Sequence, residues 1–133
     1  MKKTRNDLVR AWCEKGRRDF ITAHKALLDE SEIFPDIICF HAQQAAEKYL
    51  KAYLVFLEKE FPKTHALEDL VLLASITDPG SNNLFTIASE LSPYAVEIRY
   101  PDSLSPSLED AREAVQAAEV IRTYVLEKIR LIE

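Results

Sequence analysis

A chain of 133 residues, 47% hydrophobic and 29% charged, has the size and balance of one soluble globular domain, 1–133, able to bury a core without disulfides or a structural metal. The composition excludes a disordered chain, and no apolar run approaches the roughly 18 residues of a membrane-spanning helix. Net charge is −5, from 22 acidic and 17 basic residues, which argues against a broad basic face for nucleic acid but leaves room for a local patch such as Lys2, Lys3 and Arg5.

The opening MKKTRNDLVRAW carries the charges of a signal peptide without the apolar stretch that should follow them, so the sequence reads as a cytoplasmic chain. Thr4 and Asp7 have the spacing of a capping box. After it Leu8, Ala11/Trp12, Phe20, Ala23 and Leu27 keep a helical rhythm to about Asp29. Gly16 interrupts that rhythm, at about 1 kcal/mol relative to Ala, and marks where a bend is expected. Asp29 to Phe34 form a turn, and Pro35 suits the first position of a second helix because the amide it lacks would have no partner there.

This second helix, to about Lys59 before Phe61-Pro62, is the centre of the chain. It carries one apolar stripe, Ile38, Ala42, Ala45, Tyr49, Ala52 and Phe56, and a second beside it, Ile37, Ala46, Leu50, Tyr53/Leu54 and Leu57. Between the stripes run Gln43, Gln44, Glu47, Lys48 and Lys51, a polar ridge next to small residues that permit close packing.

Thr64 is expected to cap a third helix, with His65 in its first turn, Leu67, Leu70/Val71 and Ala74 facing inward, and Asp78-Pro79-Gly80 closing it. A fourth begins near Ser81–Asn83, faces inward with Leu84, Ile87/Ala88 and Leu91, and is kinked or divided by Pro93. The loop after Arg99 leads to Ser107 and Asp110, a second capping box. A last helix follows, with the stripe Ala111, Ala114/Val115, Ala118, Ile121, Val125, Ile129 and Ile132. With no strand pattern, the sequence predicts an all-α fold, an up-and-down antiparallel bundle of about five helices.

Little of the chemistry is catalytic. His24, His41 and His65 lack metal-ligand spacing, Cys13 and Cys39 read as reduced thiols in or near a core, and two glycines cannot build a phosphate loop. No metal, cofactor or catalytic residue is therefore expected. Glu47 and Lys51 are four apart in the favourable order and pair along the helix, whereas Gln43, Gln44 and Lys48 must find partners in the bundle, in a second subunit or in a ligand. Arg99-Tyr100-Pro101-Asp102 combines a guanidinium fork with an aromatic face, suited to phosphate or carboxylate; the plain alternative is a local Arg99–Asp102 pair.

Taken together, Trp12 and Asp19 to Ala23, Cys39 through Ala52, His65-Ala-Leu67 with Leu70, and Tyr94 through Asp102 resemble the HEPN family. The resemblance covers nearly the whole chain. It implies a helical bundle, usually a homodimer, in which the polar strip of the second helix and the segment after the fourth face a groove at the dimer interface. It further implies a partner, a minimal nucleotidyltransferase with which such proteins often form a toxin–antitoxin pair, and a nucleotide or phosphate site of Lys48, Lys51, Arg99, Tyr100 and Asp102. Tyr100 is alternatively a hydroxyl that the partner modifies. Ribonuclease members of the family carry an arginine followed, after four to six residues, by a histidine, but after Arg99 those positions read Leu104, Ser105 and Pro106. A non-catalytic protein is therefore expected, and the rival is a metal-independent ribonuclease acting on RNA through His41 or His65 brought near Arg99.

Overall fold

The two longest helices both start where a side-chain hydroxyl and a carboxylate exchange hydrogen bonds with the backbone. Thr4 Oγ1 accepts from the Asp7 amide at 3.1 Å and Asp7 accepts from the Thr4 amide at 3.1 Å, while Ser107 and Asp110 repeat the exchange at 3.0 and 2.9 Å. The computed structural model describes residues 2–96 and 105–130. Its helices are α1 (Arg5–Leu27), α2 (Pro35–Phe56), α3 (Leu67–Thr77), α4 (Phe85–Leu91) and α5 (Leu108–Arg130), with 3-10 turns at Pro79–Leu84 and Ser92–Ala95 on either side of α4. The described residues contain no strand, and the fold is an all-α helical bundle.

Helix α2 lies at the centre, packed against α1, α3, α4 and α5. Both of its apolar stripes are buried, from Ile38 to Phe56 on one side and through Ala46, Leu50, Tyr53 and Leu54 on the other. Ile37 at 46% exposed faces outward beside the buried Ile38 of the same turn, and Leu57 at the other end of its stripe is half-buried. The stripe of α5 from Ala111 to Val125 is buried as well, and Ile129 packs half-buried at its end. Ile132 lies outside the described residues.

Helix α1 runs through Gly16 without a break. A Cβ on Gly16 would stand 2.9 Å from Cδ2 of the buried Tyr49 ring, so the glycine lets α1 and α2 approach closely at this point. Helix α2 stops at Phe56, earlier than the sequence suggested, because Glu58 turns into the left-handed region at φ 59°. The Glu58 and Lys59 amides then close back on Val55 and Leu54 at 3.0 and 2.9 Å, which satisfies two of the last carbonyls of the helix.

Thr64 does not cap α3. It accepts from the Ala66 amide at 3.0 Å and tightens the approach, so that the helix opens at Leu67 and His65 lies ahead of it. The Leu67 amide instead donates to Ser92 Oγ at 2.8 Å, a partner 25 residues on. At the other end of α3, Asp78 does more than stop a helix. Its Oδ2 accepts from Tyr53 of α2 at 2.6 Å and Tyr124 of α5 at 2.5 Å, which ties three elements at one carboxylate. Burial pushes this carboxyl up, but the two hydroxyls and Lys128 outweigh it and hold it below its ordinary value.

Gly16→Ala decides between propensity and packing. Alanine in an open helix would gain about 1 kcal/mol, yet the added methyl meets a buried ring, and the substitution is expected to cost about 1–3 kcal/mol net in urea denaturation.

Candidate functional site

The polar ridge of α2 is organised around two carboxylates. The first is Glu47, on α2 itself, whose side chain is only 5% exposed. Its Oε2 accepts from Lys51 Nζ at 3.1 Å, and its Oε1 receives His65 Nδ1 at 2.9 Å and, more weakly, Gln43 Nε2 at 3.4 Å. Gln43, fully buried, also donates to the His65 carbonyl at 3.2 Å and accepts from Gln44 Nε2 at 2.7 Å. Burial raises the Glu47 carboxyl, but the bonds from His65 and Lys51 outweigh it and bring it below its ordinary value. The ammonium of Lys51, 14% exposed, also lies 5.4 Å from the Trp12 ring centre and 5.7 Å from that of Phe61.

The second carboxylate is Asp19 of α1, facing α2 across the helix contact. It holds His41 Nδ1 at 2.9 Å on one oxygen and Lys48 Nζ on the other. Gln43, Gln44 and Lys48 therefore all have partners within the chain itself. Lys48 and Lys51, the two lysines expected to offer charge to a phosphate, each face a carboxylate less exposed than themselves. Each pair consequently adds little net field at the ridge.

Arg99, Tyr100 and Asp102 lie outside the described residues. The chain that leads to them runs along the ridge's upper end. Ser92 bonds Leu67, two residues beyond His65, and the Ser92–Ala95 turn packs against α2. Tyr94 there stands close to Cys39, one helical turn before Gln43, and burial pushes its hydroxyl up to about 12. Burial also pushes the Cys13 and Cys39 thiols up to about 11, which keeps both from acting as thiolate nucleophiles at neutral pH. Among the described residues no three His, Cys, Asp or Glu side chains gather as a metal would require.

Sequence spacing anticipated the Glu47–Lys51 pair but missed the partners that cross between elements. Asp19 with His41 and Lys48 spans 22 and 29 positions, and Glu47 with His65 spans 18. A helical period carries no sign of such pairs; the only local hint was a run of polar residues on a helix otherwise apolar.

The HEPN domain model matches residues 9–129 of the chain. Two solved structures are similar at a TM-score of 0.70 each. TT1696 from Thermus thermophilus shares 28% identity over 90% of this chain and 97% of its own. ST0689, an archaeal HEPN homologue, shares 26% over 97% of this chain and 99% of its own. No curated protein matches.

The buried Glu47–Lys51 pair sets a dependence on acid. A carboxyl whose folded value is depressed stabilises the fold fully above its ordinary value of 4.5 and loses that contribution as pH falls through the folded value. Glu47→Gln leaves the Lys51 ammonium without its counter-charge and is expected to cost about 3 kcal/mol at neutral pH, with a shallower loss of stability in acid. Adding Lys51→Met should return more than half of the loss in urea denaturation followed across pH.

Proposed function

The chain belongs to the HEPN domain family, and from that premise we propose that it works by binding rather than by cleaving: a homodimer that partners a minimal nucleotidyltransferase in a toxin–antitoxin-like pair, and carries a nucleotide or phosphate site. The site brings Arg99, Tyr100 and Asp102 to the ridge at Lys48 and Lys51. The observation that carries the non-catalytic part is in the sequence, where Leu104, Ser105 and Pro106 stand at the three positions after Arg99 that hold histidine in the ribonuclease members. An arginine without an imidazole stabilises charge but moves no proton.

The geometry of the ridge supports this reading. With Lys48 and Lys51 already neutralised, attraction for a phosphate falls chiefly to Arg99, whose guanidinium grips oxygen pairs, while Tyr100 supplies a stacking face. The lysines and their carboxylates form a fixed, nearly neutral polar wall beside the proposed site. Support for convergence comes from the Ser92–Ala95 turn, which brings the chain alongside α2 within a turn of Gln43 only a few residues before Arg99.

One observation favours the rival, a metal-independent ribonuclease. Asp19 bonds Nδ1 of His41, which leaves Nε2 as the nitrogen available to a ribose hydroxyl, and the ring is partly exposed. His65, 69% exposed and bonded at Nδ1 by Glu47, has the same arrangement. An imidazole oriented by a carboxylate is what the arginine lacks.

Incubation with total RNA separates the two readings, using wild type, Arg99→Ala and His41→Ala. No cleavage above the buffer control is expected from any of them, whereas cleavage lost in either variant would replace the binding role with a nuclease. In calorimetric titration with AMP, Arg99→Ala is expected to weaken binding at least tenfold. Absence of binding to wild type would remove the nucleotide site and leave the partner role, which co-purification with the nucleotidyltransferase tests separately.

A further inference from the structure

At the opposite end of α2 from the turn that leads to Arg99, the first turns of α1 and the last turns of α5 leave a cleft of about 340 Å³ with Phe56 at its edge. Arg5, Arg10 and Arg130 line it together with the apolar Phe56, Leu126 and Ile129, and among the described residues no acidic one lines it. Three guanidinium groups around an apolar hollow are unusual in a chain whose net charge is −5.

Two of the cations are placed differently from the third. Arg5 is fixed by the fold: its Nη1 donates to the Phe56 carbonyl at 3.1 Å, one of the last carbonyls of α2, and its guanidinium lies 5.3 Å from the Phe56 ring centre. Its ion pair with Glu58 is long, at 3.8 Å, and exposed on both sides. Among the described residues Arg10 and Arg130 make no direct ion pair or side-chain hydrogen bond, although Arg10 lies near enough to Asp7 to help lower its carboxyl, and both reach the cleft from exposed helix faces. One cation is therefore held in place, and two remain to close on a charge.

We propose that this cleft binds a small amphiphilic anion, a carboxylate or phosphate head held by Arg10 and Arg130 beside Arg5, with a short apolar body lying against Phe56, Leu126 and Ile129. Its volume is within the range of ligand pockets. At about 30 Å³ for a water-sized group, it holds roughly ten such groups, which suits a body of about eight carbons. The apolar wall supplies affinity through burial, and the arginines select for charge. Nothing in this site involves Lys48, Lys51 or Arg99, so it stands or falls apart from the nucleotide reading.

Calorimetry on the full chain, below micelle-forming concentrations, uses octanoate and octyl phosphate as probes, with octanol and inorganic phosphate as controls for body and head alone. Saturable one-site binding of at least one of the two anions is expected, at least tenfold tighter than either control. Arg10→Gln combined with Arg130→Gln should weaken it at least tenfold while leaving the thermal midpoint unchanged. Amide shifts on titration of the bound probe should centre on residues 5–13 and 126–130. Failure of both anions to saturate, octanol binding as tightly, an unaffected arginine variant, or shifts centred elsewhere would each overturn the site. If the double variant unfolds, Arg10→Gln alone gives the same comparison.

Discussion

A helix enclosed on nearly every side cannot turn its polar residues to water, and α2 is such a helix. Leaving the Glu47 carboxylate or the Gln43 amide unpaired there would cost several kcal/mol each way, so the surrounding elements have to supply partners. Lys51 supplies one from the same helix, while His65 supplies another from the connection before α3. Asp19 of α1 plays the reciprocal part for His41 and Lys48. The seam is thereby both a structural lock between α1, α2 and the approach to α3 and the most polar part of the interior.

This lock explains why the ridge is not a plain cationic groove. A free lysine pair would attract any phosphate indiscriminately; a lysine facing a less exposed carboxylate has its field largely cancelled. In the proposed site the charge for an anion comes from outside the seam, from the arginine at position 99. At the other end of α2 the balance is reversed, with arginines and, among the described residues, no carboxylate lining a hollow. The same helix thus separates a neutralised end from a cationic one.

What was legible in the sequence was local. Both capping boxes, Pro35 at the start of α2 and the stripes of α2 and α5 are written in spacings of three and four, and the structure has them where those spacings put them. What was not legible joins residues far apart. Ser92 takes the place at the start of α3 that Thr64 seemed to hold, and Asp78 gathers hydroxyls from Tyr53 and Tyr124 although its neighbours Pro79 and Gly80 announce only a turn. Gly16 looked like a weak point in α1 and is a contact surface for Tyr49. Of the candidate site, Lys48 and Lys51 were found by their position on the ridge, but the carboxylate of Asp19 and the imidazole of His65 that fix their surroundings lie on other elements, where no period points to them.

The central claim is that the α2 seam and Arg99 act on one ligand. A double-mutant cycle on AMP affinity, with Lys48→Met, Arg99→Ala and the two combined, measures that directly. The account predicts a coupling of at least about 0.5 kcal/mol, the combined loss falling short of the sum because Lys48→Met bares the Asp19 carboxylate beside the phosphate that Arg99 holds. Strictly additive losses, or a Lys48→Met protein that binds as wild type does, would contradict it.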